Sequence, residues 1–212
     1  MQFQLCVKPW MPRQCFGDPP LVCAAAELPY WEGRGGRRFN RYYRAYGRAF
    51  TRYVEKVLVP ETESEARWAA ENGGCVPGWE AELRTVITLD TPRVVSLYTD
   101  TVETGGGRRR VLRRGDTWEK DGAAPMTAGD FFPPHTPWRR MILSAAAEQI
   151  RRNEAAYYPD WPHRLRRSFH SRAFYLGEEG LWVYFPMYAL RVPVTAFLLP
   201  WSPEGPRLPW EE

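Results

Sequence analysis

A change of hydrophobic period constrains this chain more than any other feature. Between residues 37 and 59 the apolar side chains Phe39, Tyr42, Tyr43, Tyr46, Phe50, Tyr53, Val54 and Val57 recur every three or four positions, the spacing of one buried helical face. From Trp79 the period falls to two. Trp79, Ala81, Leu83, Thr85, Ile87 and Leu89 alternate with Glu80, Glu82, Arg84, Thr88 and Asp90, as in a half-buried strand. A long amphipathic helix that leads into strands predicts an α+β fold.

Turn residues then divide the rest. Leu21 to Leu28 reads as a first strand. Pro60 should end or kink the helix, and Thr62-Glu63-Ser64-Glu65 has the spacing of a capping box for a second short helical stretch. Thr91-Pro92, Gly105-Gly106-Gly107 and Lys120-Asp121-Gly122 separate three strand-like segments, an antiparallel meander. Trp138, Met141, Ile142, Ala145, Ala146 and Ile150 return to the helical period, and a short helix is expected over 162–169. Phe174 to Leu176 and Leu181 to Phe185 flank Gly177-Glu178-Glu179-Gly180 as a hairpin, and Ala196 to Leu199 can add a strand. Pro9, Pro12, Pro19 and Pro20 suggest an irregular lead-in over 1–20. Residues 21–200 then form a single domain, and 201–212 a loosely held Pro-rich tail. The expected architecture is an antiparallel β-meander sheet packed against a long N-terminal amphipathic helix and one or two later helices.

The chain carries ten Trp, eleven Tyr and ten Phe, a load of rings that must form either buried area or adhesive surface. Lys8, Lys56 and Lys120 are its only lysines, so Arg supplies 26 of 29 cations, yet the net charge is only +4. That charge by itself implies no polyanion partner. Cys6, Cys15, Cys23 and Cys75 match no zinc spacing and are as consistent with a disulfide pair as with buried thiols. No basic-then-apolar leader opens the sequence and no apolar run is long enough to cross a membrane, which points to the cytoplasm.

Chemistry has little to work with. His135, His163 and His170 have no ligand spacing, and Asp116, Glu119 and Asp121 lack the pattern of a calcium loop. No catalytic residue, metal site or cofactor is expected. Gly33-Arg34-Gly35-Gly36-Arg37-Arg38 precedes the long helix, and Arg34, Arg37, Arg41, Arg44 and Arg48 form an anion-binding candidate for an anionic polymer or nucleic acid. No nucleic-acid motif supports it. For protein binding the candidates are Trp182 and Tyr184, which alternate with Val183 and Phe185, and the rigid Pro186-Met187-Tyr188 that follows.

Several segments together resemble a known family: Val94-Val95-Ser96-Leu97-Tyr98, the turn Thr104-Gly105-Gly106-Gly107, Asp121-Gly122, Met126-Thr127-Ala128-Gly129-Asp130-Phe131-Phe132, Phe174-Tyr175-Leu176 and Gly180-Leu181-Trp182-Val183-Tyr184-Phe185-Pro186-Met187-Tyr188. They are similar to domain-of-unknown-function family 3298 (DUF3298), the C-terminal domain of RsiV-type anti-sigma factors, over roughly residues 20–200. Where that family often has Ala-His after its glycine pair, this chain has Gly107-Arg108. The resemblance implies an α+β domain without catalytic residues, an extracytoplasmic cell-envelope setting and a protein partner such as lysozyme.

Overall fold

The computed structural model describes residues 4–75 and 78–208, the side chain of Arg34 excepted. Two strands come first, β1 (Leu5–Phe16) and β2 (Val22–Trp31), paired antiparallel. Of the irregular lead-in expected over 1–20, residues 5–16 are therefore strand, and residues 1–3 lie outside the described residues. Its prolines mislead because β1 lies at the sheet edge, where a missing N–H costs nothing, and the register shifts at Pro9/Met11 and Met11/Gln14. Cys15 and Cys23 stand opposite one another in this pair and form a disulfide, while Cys6 and Cys75 are free thiols.

The helical face seen in the sequence becomes one run of three parts: α1 (Arg37–Tyr53), a π-turn over Val54–Leu58 and α2 (Val59–Glu71). Pro60 neither ends nor breaks it. In the wider turn the Val59 N–H reaches back to Val54 O, five residues away, so the proline ring enters where the ladder has already loosened. The capping box expected at Thr62 is absent, since its hydroxyl donates to Leu58 O (2.8 Å) inside a continuous helix.

That helical run is a crossover. It returns the chain beside β2 in the same direction, and β3 (Trp79–Asp90) pairs parallel to it, with Val22 opposite Trp79 and Ala26 opposite Leu83. The sheet is thus mostly, but not wholly, antiparallel. β4 (Val94–Gly105), β5 (Arg108–Glu119) and the two-residue β6 (Ala124–Pro125) complete a sheet ordered β1-β2-β3-β4-β5-β6. Next come α3 (Trp138–Arg151) and α4 (Trp161–Ser168), then a three-stranded antiparallel sheet of β7 (Phe174–Gly177), β8 (Gly180–Phe185) and β9 (Thr195–Pro200).

The contacts divide the chain into two compact units, 1–85 with 99–111 and 86–98 with 112–212, a division that passes through β3, β4 and β5. In the first, Trp31, Phe39 and Tyr43 are fully buried, with Phe39 edge-on to Trp31 at 5.4 Å. Asn40 fixes α1 to the end of β2: its amide donates to Trp31 O (2.8 Å) and its Oδ1 accepts from Trp31 N–H (2.9 Å). Gly47 lets the Trp10 ring lie against the helix, since a Cβ there would stand 2.6 Å from both Trp10 and Leu28.

The second unit packs Ile142, Ala146 and Ile150 of α3 and Trp161 and Leu165 of α4 against Phe174, Leu176, Leu181, Val183, Phe185, Phe197 and Leu199. A true capping box occurs here, where Thr127 and Asp130 satisfy each other's backbone and side chain. The expected loose tail docks as far as residue 208: Arg207 N–H donates to Phe131 O (2.7 Å) and Leu208 is buried in the core. Residues 209–212 lie outside the described residues.

Candidate functional site

The three-stranded sheet has two unlike faces because strand side chains alternate. On β8, Leu181, Val183 and Phe185 point into the core of the second unit. Trp182 and Tyr184 point the other way, beside Tyr175 of β7 and Ala196 of β9. Tyr175 stands directly opposite Trp182 in the ladder, and their rings stack nearly parallel, 6.2 Å apart with planes inclined by 9°. Tyr98 of β4 leans on Tyr175 at 5.0 Å. The Arg113 guanidinium of β5 lies over Tyr98 at 3.8 Å and within 5.7 Å of Tyr175. The result is a strip of Trp182, Tyr175, Tyr98 and Arg113 joined ring to ring and ring to cation.

Exposure along the strip is graded. Tyr175 and Tyr184 are buried at 9% and 7%, whereas Trp182, Tyr98 and Arg113 are half-buried. The reachable groups therefore rest on a buried aromatic foundation. Trp182 Nε1 donates to Glu179 Oε2 (3.3 Å) in the β7–β8 turn, which restrains the indole.

Tyr184 anchors this face. Its hydroxyl oxygen accepts the Gly115 N–H at 2.8 Å. Burial pushes its phenol up to about 12, the carboxylate of Asp116 adds to the rise, and the Gly115 N–H opposes it. Gly115 is required because a Cβ there would overlap the Phe174 carbonyl. Ser96, fully buried, completes the seam: its hydroxyl accepts the Leu176 N–H (2.8 Å) and bonds Thr117 Oγ1 (2.8 Å).

The sequence-predicted protein-binding residues thus divide. Trp182 is reachable, but Tyr184 is buried beneath the strip and serves as its support. Pro186 is exposed, Met187 half-buried and Tyr188 45% exposed. They form the loop after β8, in which Tyr188 adopts a left-handed backbone (φ 58). Such a conformation costs a non-glycine residue about 1 kcal/mol, and the Tyr188 N–H donates to Val192 O (3.2 Å) across the loop. Tyr98, Tyr175 and Arg113 were missed. The two tyrosines belong to segments readable as strands, but nothing local distinguishes Arg113 from the neighbouring Arg109, Arg110 and Arg114.

The arginine candidates of α1 also divide. Arg37, Arg41, Arg44 and Arg48 are all exposed, and the side chain of Arg34 lies outside the described residues. Among the described side chains, Arg37 and Arg44 line a cleft of about 520 Å³ with Tyr30, Gly33 and Asn40, and Arg41 and Arg48 do not. His135, His163 and His170 are exposed and separate, and among the described residues no three His, Cys, Asp or Glu side chains gather as a metal site would require. Nor is any helix of the described residues long and apolar enough to cross a membrane.

No family model matches the chain, and no curated protein matches it. Two solved structures share its architecture. A member of the DUF3298 family from Bacteroides fragilis superposes with a TM-score of 0.63 over 92% of this chain and 90% of that one. A DUF3298 family protein from Pseudomonas aeruginosa gives 0.54, over 96% of this chain and 97% of that one. The fold is that of DUF3298 proteins. Identity is 11% in both cases, so the likeness to the DUF3298 structures is one of backbone and not of site residues. The fold expected from the sequence resemblance is the fold present.

Proposed function

We propose that this chain is a non-catalytic recognition domain that holds a protein partner on the strip of Trp182, Tyr175, Tyr98 and Arg113. One observation carries the reading: half-exposed aromatic and guanidinium groups lie locked on buried rings, so a partner meets surface that has already lost its rotamer freedom. Trp, Tyr and Arg dominate interface hot spots for that reason, and ordered side chains reduce the entropic cost of association. The resemblance to the RsiV-type domain makes lysozyme the partner to test first. The Cys15–Cys23 disulfide supports the extracytoplasmic, cell-envelope setting that the resemblance implies, because such bonds persist in oxidising compartments.

Calorimetric titration of purified protein with lysozyme should show saturable binding, and Arg113→Ala should weaken it at least about tenfold, as loss of a hot-spot residue does. Absence of both binding and inhibition would remove lysozyme as the partner. Undiminished binding by Arg113→Ala would remove the strip.

A second reading rests on the cleft of Tyr30, Gly33, Arg37, Asn40 and Arg44. Among the described residues no acid lines it and none stands in the first turn of α1, so an anionic polymer would meet little repulsion there. Binding of this kind should fall steeply as salt rises.

A further inference from the structure

A second surface, of different chemistry, lies between α3 and α4. The helical period puts Arg140, Leu143, Ser144, Ala147 and Arg151 on one stripe of α3, and Trp161, Pro162, Leu165 and Arg166 of α4 face it across a cleft of about 530 Å³. The floor is apolar: Trp161 and Leu165 are buried and Leu143 and Ala147 half-buried. Three exposed arginines, 140, 151 and 166, stand around it, and among the described residues no acidic one lines it. Among the described residues the acids nearest in sequence are already engaged. Glu148 pairs with Arg152, Asp160 with Arg164, and Glu154 accepts the Trp161 indole N–H at 2.6 Å. The three groove arginines have no ion pair among the described residues, and Arg151 only leans on the Trp161 ring at 5.9 Å.

We infer that this groove docks an acidic amphipathic helix of a partner protein, independently of the aromatic strip. Charge complementarity carries the inference. An apolar floor with three unneutralised guanidinium groups at its rim calls for apolar side chains flanked by carboxylates, which Arg grips in a bidentate fork. Spacing limits the occupant further. Arg140 and Arg151 are eleven residues apart on α3, about 16 Å, so a matching helix carries its carboxylates about three turns apart with Leu- or Ala-sized residues between. Nucleic acid fits less well, because Trp161 is 4% exposed and leaves no ring free for base stacking.

Fluorescence anisotropy with a labelled peptide of about 16 residues, built from Leu, Ala and Glu in that pattern, tests the inference. The wild-type protein should bind it, and the version with Gln for Glu at least about tenfold more weakly. The combined variant Arg140→Gln/Arg151→Gln/Arg166→Gln should lose the same factor. A variant with equal charge change elsewhere, Arg93→Gln/Arg108→Gln/Arg172→Gln, should lose less than about twofold. Equal losses in the two triple variants would overturn the inference, as would equal affinity for the two peptides. So would groove-dependent binding of oligo-thymidine or phosphatidylglycerol vesicles tighter than that of the acidic peptide.

Discussion

The inner and outer faces of the sheet β7-β8-β9 are built from the same three strands yet use different chemistry. Inward, Phe174, Leu176, Leu181, Val183, Phe185, Phe197 and Leu199 bury hydrocarbon and need no polar partner. Outward, Tyr175, Trp182 and Tyr184 bury ring area too, but each brings a polar handle that must be met. Tyr184 meets Gly115 N–H and Trp182 meets Glu179. The inner face makes the domain stable. The outer face is specified by hydrogen bonds and ends in groups that water and a partner can reach.

Substitutions should separate these faces by size of effect. Phe185→Ala empties a site with no exposure and should lower unfolding free energy by about 3–5 kcal/mol in urea titration. A loss below about 1 kcal/mol would show that the inner face is not the core. Gly115→Ala follows. It forces the backbone of β5 away from the Phe174 carbonyl, at a cost of about 3 kcal/mol, which Phe174→Leu should not relieve because the clash is with main chain.

Tyr184→Phe keeps the ring but leaves the buried Gly115 N–H without its acceptor, a loss of about 1–2 kcal/mol. The same phenol makes stability depend on alkali. Its folded pKa of about 12 lies above the ordinary phenol value of 10.0. Below that ordinary value both folded and unfolded states hold the proton and stability is full. As pH rises towards the folded value the unfolded chain releases it first, so stability falls. Denaturation midpoints across this range should drop less in Tyr184→Phe than in the wild type, and the phenolate absorbance step near the folded value should shrink to the part contributed by Tyr53, whose phenol burial also pushes up to about 12. The smallest structural effect belongs to Trp182→Ala, which removes a half-exposed ring and should cost under about 1 kcal/mol.

Period and turn chemistry made much of this legible. The buried stripe of α1, the strands of the meander, α3, α4 and the β7–β8 hairpin all follow from spacing visible in the chain, and so does the inward–outward alternation of Trp182, Val183, Tyr184 and Phe185. What failed depended on context. Pro9 and Pro12 read as breakers until β1 is known to be an edge strand, and Pro60 until the π-turn is seen to make room for it. The parallel pairing of β2 with β3 and the Cys15–Cys23 bond require knowing which strands meet. The strip itself was only half visible. Trp182 could be named from alternation, but Arg113 joins Tyr98 and Tyr175 through contacts separated by up to 62 positions in the chain, and no local pattern encodes that meeting.

Paired measurement of stability and partner affinity on Trp182→Ala tests the central claim most directly. If the outer face exists for recognition, its melting temperature should stay within a few degrees of the wild type while lysozyme binding weakens at least about tenfold. A collapse of the melting temperature would make the tryptophan structural, and unchanged affinity at unchanged stability would contradict the account.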